Sequence, residues 1–255
     1  MSRKIKRIVL KFGSGILARA DGKDLDMSQC RALMAEIVAL MEFGYEVAAV
    51  SSGAVAAGLS PLGFSERPTD MSSLQACAAV GQSRLMQVYE SQLSKHGLHV
   101  GQLLLTYQDL DSRLLYLNTQ NTLERLFECR NVVPILNEND PVAIEELRFG
   151  DNDRLSAEVA ILAKADLLLM CTSVDGLIDP KTGQVVPLVR DIEKASDHVQ
   201  DTKGKFSVGG MKSKLGAASV AARAGIPVVI TNGRKPETIR KIVAGEKIGT
   251  RVEAR

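Results

Sequence analysis

The sequence predicts an α/β fold, a three-layer αβα sandwich around a mostly parallel sheet, and two observations carry that reading. Strand-like and helix-like segments alternate from one end of the chain to the other, the pattern of a parallel sheet covered by helices on both faces. Leu167–Cys171 is an uninterrupted apolar run, as expected of a strand buried on both sides. A length of 255 residues suits one large domain and is ample for a core.

In chain order, Ile5–Phe12 is a β-branched apolar run that stops at Gly13, a first strand. Ser28–Phe43 has helical apolar spacing, with Ser28 as the N-cap. Tyr45–Val50 is a second strand, closed by Ser51-Ser52-Gly53. Met71–His96 reads as a long helix, His99–Thr106 as a strand and Leu115–Cys129 as a helix. Val132–Leu136 is a strand that runs into the polar cluster Asn137–Asp140. Asn152–Lys164 is helical and opens on a second cluster, Asp151–Asp153. After the buried strand come a helix over Gly210–Ala224, a strand over Pro227–Thr231 and a short helix over Glu237–Ala244. Lys194–Val208 is polar and rich in Gly and Lys, which suggests a mobile loop.

The bulk chemistry excludes several classes of function. Lys and Arg number 32 and Asp and Glu 30, so the charge balance calls for neither nucleic acid nor a membrane surface. Aromatics make up 4% with no Trp, too few for a base-stacking platform. No run of 18 apolar residues occurs, and the N-terminus has no signal-peptide core, so a cytoplasmic protein is expected. Cys30, Cys77, Cys129 and Cys171 are widely spaced among apolar neighbours and read as reduced core residues. His96, His99 and His198 lack metal-ligand spacing, so no metal held by protein side chains is expected.

Four segments carry the chemistry. Lys11-Phe12-Gly13-Ser14-Gly15 ends a strand in a lysine and a glycine-rich turn, which lets backbone N–H groups approach an anion. It is neither a GxxxxGK[ST] loop nor a GxGxxG fingerprint. Ser51-Ser52-Gly53-Ala54 leaves room for a ligand at a strand end; an N-cap by Ser51 or Ser52 is the plainer reading, and the two can hold together. Gly209-Gly210-Met211-Lys212-Ser213-Lys214 opens a helix with two lysines in its first turn. The helix dipole disfavours cations there, which suggests a balancing polyphosphate. Thr172-Ser173-Val174-Asp175-Gly176 follows the buried strand and suits either a nucleotide pocket or a turn. Plain turns are also the competing reading of the two Asn/Asp clusters. Lysines and glycine turns facing Asn/Asp clusters at strand ends are what phosphoryl transfer needs, since that reaction depends on positioning and charge neutralisation.

Five of these motifs, Lys-Phe-Gly-Ser, Ser-Ser-Gly-Ala, Asn-Glu-Asn-Asp, Phe-Gly-Asp-Asn-Asp-Arg-Leu-Ser-Ala and Gly-Gly-Met-Lys-Ser-Lys, occur in the order found in the amino acid kinase superfamily, and so does Ala78-Ala79-Val80-Gly81-Gln82-Ser83. Over about Lys6 to Thr250 the chain resembles that superfamily and, within it, the glutamate 5-kinases; the Gly-Asp-Asn-Asp-x-Leu-Ser-Ala segment is the most specific link. The resemblance implies the amino acid kinase fold in a single domain over residues 1–255; many glutamate 5-kinases carry a C-terminal PUA domain as well, and as a departure from that pattern none is expected here. It implies a carboxyl-group phosphotransferase that converts L-glutamate and ATP, with Mg²⁺, to γ-glutamyl phosphate in the first step of proline biosynthesis. Lys11, Asp153 and Lys214 would be catalytic. Ser52, Asp140 and Asn152 would bind glutamate, with Asp140 receiving the α-ammonium because no lysine lies nearby in sequence. Lys11, Gly13, Thr172, Ser173, Val208, Gly209, Gly210, Met211, Lys212, Ser213 and Lys214 would bind ATP. A homodimer or homotetramer and feedback inhibition by proline are implied as well.

The chain departs from the family pattern mainly on the ATP side. Ser207-Val208 stands for the usual Gly-Thr, and Thr172-Ser173 for Thr-Asp. The alternatives are a superfamily kinase acting on aspartate, N-acetylglutamate or UMP, and a sensor of ATP or amino acids that has lost catalysis. The presence of Lys11, Asp153 and Lys214 together weighs against the sensor.

Overall fold

The computed structural model describes residues 5–143, 152–197 and 210–254. Its centre is β1 (Arg7–Phe12), which pairs in parallel with β2 (Glu46–Val50) on one side and β5 (Leu167–Thr172) on the other. Beyond β2 lie β4 (Val132–Glu138) and β3 (His99–Leu105). Beyond β5 lie β7 (Val228–Asn232), β8 (Thr250–Val252) and β6 (Leu188–Val189). The order β3-β4-β2-β1-β5-β7-β8-β6 is parallel except between β7 and β8.

Two helical layers cover the sheet, and strand alternation decides which side chains meet which layer. Ile8, Leu10 and Phe12 of β1 pack with α2 (Met27–Glu42) and α4 (Met71–Leu93). Val9 points the other way, into the cluster shared by α6 (Arg113–Cys129), α7 (Asn152–Leu162) and α9 (Met211–Arg223). Lys11, two residues on from Val9, therefore faces α7 and α9.

The smaller helices are α1 (Ser14–Leu17), α3 (Ala54–Leu59), α5 (Tyr107–Asp111), α8 (Ile192–Asp197) and α10 (Thr238–Val243). α3 and α4 touch backbone to backbone. A Cβ on Gly81 would lie 1.8 Å from the carbonyl oxygen of Ala54, and one on Gly58 would lie 1.9 Å from that of Cys77. Gly81 of the Ala-Ala-Val-Gly-Gln-Ser motif thus lets α3 lie directly on α4.

The α/β class, the parallel sheet and the larger elements match the sequence expectation, with several corrections. Asp26, not Ser28, caps α2, its carboxylate accepting from the Gln29 N–H at 3.1 Å. The helix from Met71 ends at Leu93 and continues as a 3₁₀ turn over Ser94–His96. β4 runs on to Glu138, because parallel pairing with β3 carries Asn137 and Glu138 into the ladder. Lys194–Asp197 belong to α8, so the mobile-loop reading fails there; residues 198–208 lie outside the described residues. Cys129 is exposed, whereas Cys30, Cys77 and Cys171 are buried. Burial pushes the Cys30 and Cys171 thiols up to about 12, which keeps them protonated and unreactive. The short strands β6 and β8 and helices α1, α3, α5 and α8 escape the sequence reading, since each is too brief to show a period.

Candidate active site

The polar motifs converge at the C-terminal edge of the parallel strands, where open α/β sheets bind ligands. β1 delivers Lys11, α7 delivers Asp153 in its first turn, and α9 delivers Lys214 in its first turn. All three are buried. The Lys11 ammonium donates to Asp153 Oδ1, and Lys214 Nζ donates to Asp153 Oδ2 at 2.9 Å. One carboxylate thus holds two ammonium groups that would otherwise repel each other in a medium of low dielectric. Its own place at a helix N-terminus is favourable for a negative charge. Among the described residues the array gathers two ammonium groups around one carboxylate at the centre of the sheet edge, a setting suited to a phosphoryl group.

Of the two lysines that open α9, Lys214 shares Asp153 with Lys11, and Lys212 is exposed.

Beside the lysines, between β1, β2 and β4, a pocket is lined by Ser14, Ser52, Gly53, Arg67, Asp140 and Asn152, among others. Its back wall is a chain of buried amides. Asn152 Nδ2 donates to the Ser51 carbonyl at 2.5 Å and to Asn137 Oδ1 at 2.6 Å. Asn137 Nδ2 donates to Gln82 Oε1 at 2.7 Å, and Asn137 Oδ1 also accepts from the Glu138 N–H. With both Nδ2 hydrogens of Asn152 used inside the protein, what its side chain offers a ligand is the acceptor Oδ1, which suits an ammonium rather than a carboxylate.

Ser51 and Ser52 do not cap α3, so that alternative falls. The N-cap is Gly53, at φ 94°, a left-handed conformation that glycine adopts without strain. Ser51 turns inward instead, its hydroxyl 2.9 Å from that of the fully buried Tyr89.

On the other side of β1, Thr172 is half-buried at the end of β5, and Ser173 is exposed. Gly210, the N-cap of α9, and Met211 and Ser213 are half-buried beside Lys214. Gly13 lies between the halves, where a Cβ would sit 3.4 Å from Lys11 Nζ. Val208 and Gly209 lie outside the described residues, as does Asp151. Asp175 serves the scaffold: its carboxylate accepts from Asn232 Nδ2 at 2.9 Å and Lys235 Nζ at 2.7 Å, tying the end of β5 to β7.

Asp140 departs from expectation in two ways. It is half-buried, and a cation does face its pocket: Arg67, distant in sequence, whose charge interacts with that of Asp140. Sequence reasoning missed Arg67 and Tyr89. Gln82 and Glu138 lie within motifs the sequence singles out, but nothing in the sequence ties Gln82 to Asn137 or gives Glu138 a role. Among the described residues no three His, Cys, Asp or Glu side chains gather as a metal site, and no helix is long and apolar enough to cross a membrane.

Comparison with known proteins gives the family and the fold. The family model described as the amino acid kinase family matches residues 6–232. Glutamate 5-kinase from Pseudomonas putida strain F1 is 46% identical over 252 residues, covering 96% of this chain and 67% of the relative. Its counterpart in Pseudomonas entomophila is 45% identical over the same shares. Among solved structures, UMP kinase from Bacillus anthracis superposes with a TM-score of 0.65 at 19% identity, covering 99% of this chain and 97% of that one. N-acetylglutamate synthase from Neisseria gonorrhoeae gives a TM-score of 0.69 at 16% identity, covering 98% and 62%. The two structures share the fold, and the family match spans the strands and helices that build the lysine–aspartate–lysine site. The chain belongs to the amino acid kinase family, among the relatives of the glutamate 5-kinases.

Proposed function

We propose that the protein is a glutamate 5-kinase, transferring the γ-phosphoryl group of ATP to the γ-carboxylate of L-glutamate in the first step of proline biosynthesis. The observation that carries this reading is the buried Lys11–Asp153–Lys214 array beside a pocket that offers acceptors for an ammonium group. In the transfer, a γ-carboxylate oxygen forms a bond to the γ-phosphorus while the bond to the β–γ bridging oxygen breaks. ADP leaves with that electron pair. No general base is needed, because a carboxylate is ionised at neutral pH. Lys11 and Lys214 neutralise the charge on the phosphoryl oxygens as it redistributes, the largest contribution available to this chemistry. Asp153 holds both ammonium groups in place.

Ser52, Asp140 and Asn152 hold glutamate, the last two through its α-ammonium. Thr172, Ser173 and residues 208–214 hold ATP, with Gly13 leaving room between the two. Asp153 is already committed to two lysines, so Mg²⁺ fits best as an ion carried by the nucleotide's phosphates, where it shields their charge. One continuous sheet from β1 to β8 supports a single kinase domain. A cytoplasmic homodimer or homotetramer with feedback inhibition by proline belongs to the same reading.

The test is ATP- and Mg²⁺-dependent formation of γ-glutamyl hydroxamate, with and without proline. Lys214→Ala is expected to lower kcat about 10²–10³-fold, the loss typical of removing one charge-stabilising group. Equal or faster turnover of aspartate or N-acetylglutamate by the wild type would overturn the choice of substrate. ATP and glutamate binding without turnover would favour a sensor.

A further inference from the structure

The substrate pocket holds a cation that the transfer step does not use. Arg67 lies between the 3₁₀ turn Ser60–Leu62 and α4, on a stretch that Pro68 biases toward extended backbone. It reaches the same pocket as Ser52, Asp140 and Asn152. Among the described residues lining that pocket Arg67 is the sole cation, set against two carboxylates, Glu138 and Asp140. Lys11 and Lys214 do not serve this end, because both are tied to Asp153 at the transfer edge.

An amino acid held by its ammonium at Asp140 and Asn152 must place its α-carboxylate within a few ångströms of that same ammonium. Without a cation, the α-carboxylate would face Glu138 and Asp140 and be repelled. A guanidinium matches a carboxylate in a paired, planar contact that a lysine cannot reproduce.

We propose that Arg67 is a specificity-determining residue that receives the substrate's α-carboxylate, while Asp140 receives its α-ammonium. Together they read the two charges on one carbon and select a free amino acid over analogues lacking either charge. Arg67 is exposed overall; desolvation draws its pKa below the ordinary value and the charge of Asp140 opposes that pull. An arginine stays charged throughout.

The inference rests on the glutamate kinase reading, and the test separates the two. Steady-state kinetics are compared for glutamate and its α-amide, which keeps the ammonium and the γ-carboxylate but loses the α charge, in wild type, Arg67→Met and Arg67→Lys. In Arg67→Met the KM for glutamate should rise about 10–100-fold, the range for losing a charge-assisted hydrogen bond. The KM for ATP should hold, the KM for the α-amide should change little, and the wild-type preference for glutamate should collapse. Arg67→Lys should recover part of it. Equal losses for glutamate and α-amide would reduce Arg67 to a structural partner of Asp140 and overturn the proposal. If Arg67→Met fails to fold, Arg67→Gln and calorimetric titration of the two ligands decide the same question. A wild type that turns over neither acceptor defeats the functional reading itself. A wild type that turns over glutamate with unaltered discrimination in Arg67→Met defeats only the role of Arg67.

Discussion

The two halves of the site, on either side of β1, are built differently. On the β2–β4 side, the pocket wall is a chain of buried polar contacts running from Tyr89 through Ser51, Asn152 and Asn137 to Gln82, drawn from two strand ends and two helices. On the β5–β7 side, the described groups are the half-buried Thr172, the exposed Ser173 and Lys212, and the opening of α9. The lesson is a division of labour. A small amino acid offers few atoms, so its pocket must have its polarity fixed before binding. On the proposed reading a nucleotide offers phosphates and a base to the other side, where backbone N–H groups at the opening of α9 can receive an anion. Asp153 is the joint between the halves, since each of its oxygens holds one of the two lysines.

The joint should be the most sensitive point. Asp153→Asn keeps the volume but removes the carboxylate charge that the two buried ammonium groups share. Removing one partner of a buried ion pair costs about 3–5 kcal/mol. The expected result is a fall in kcat of more than about 10³-fold together with a lower thermal midpoint, since both lysines lose their position at once. Near wild-type kcat in this variant would mean that the lysines are held by something other than Asp153, and the division into halves would lose its hinge.

The substrate wall can be broken alone. Asn137→Ala removes the acceptor for Asn152 Nδ2 and the donor to Gln82 Oε1. Gln82 Nε2 is already buried without a partner among the described residues, so the loss leaves that amide unsatisfied at both ends. Buried unpaired polar groups cost about 1–3 kcal/mol each. A KM for glutamate raised about tenfold, with the KM for ATP within about twofold, is the outcome that keeps the halves separate. A parallel rise in both constants would merge them.

How much of this was legible in the sequence follows the same divide. Lys11, Asp153 and Lys214 announced themselves because each sits in a short motif at an element end, where local composition marks a strand or helix terminus. The pairing of Asp153 with both lysines spans 142 and 61 residues of sequence and is a product of topology. Ser52 and Asp140 follow strands and Asn152 opens a helix, but it is the family resemblance that links them to glutamate, and Arg67 lies too far away in the chain to be read as a partner of Asp140. Gln82 and Tyr89 sit on the inward face of α4, where a Gln or a Tyr among apolar residues looks like ordinary helix composition. β8 was invisible because three residues in an antiparallel pairing carry no period.

The smallest effect worth measuring probes the far end of the substrate wall. The Ser51 hydroxyl donates to the Ser52 carbonyl at 3.1 Å, so the Tyr89 hydroxyl is the donor in the 2.9 Å contact between them. Tyr89→Phe deletes that donor and keeps the ring in its buried slot. One neutral hydrogen bond contributes about 1 kcal/mol, so stability should drop by that order and the KM for glutamate should rise no more than about threefold, with ATP unaffected. The pH dependence has a definite sign. Burial raises the Tyr89 pKa well above its ordinary value, whereas an unfolded tyrosine ionises near pH 10. The folded state therefore holds a proton that the unfolded state releases, and stability credited to Tyr89 is present below about pH 10 and lost as pH rises beyond it. Phenylalanine has no such loss. The deficit of Tyr89→Phe, read by denaturant titration, should be constant up to about pH 9 and shrink above pH 10. A deficit that widens in alkali would show that the hydroxyl ionises while folded, and that this end of the wall is wetter than its buried contacts imply.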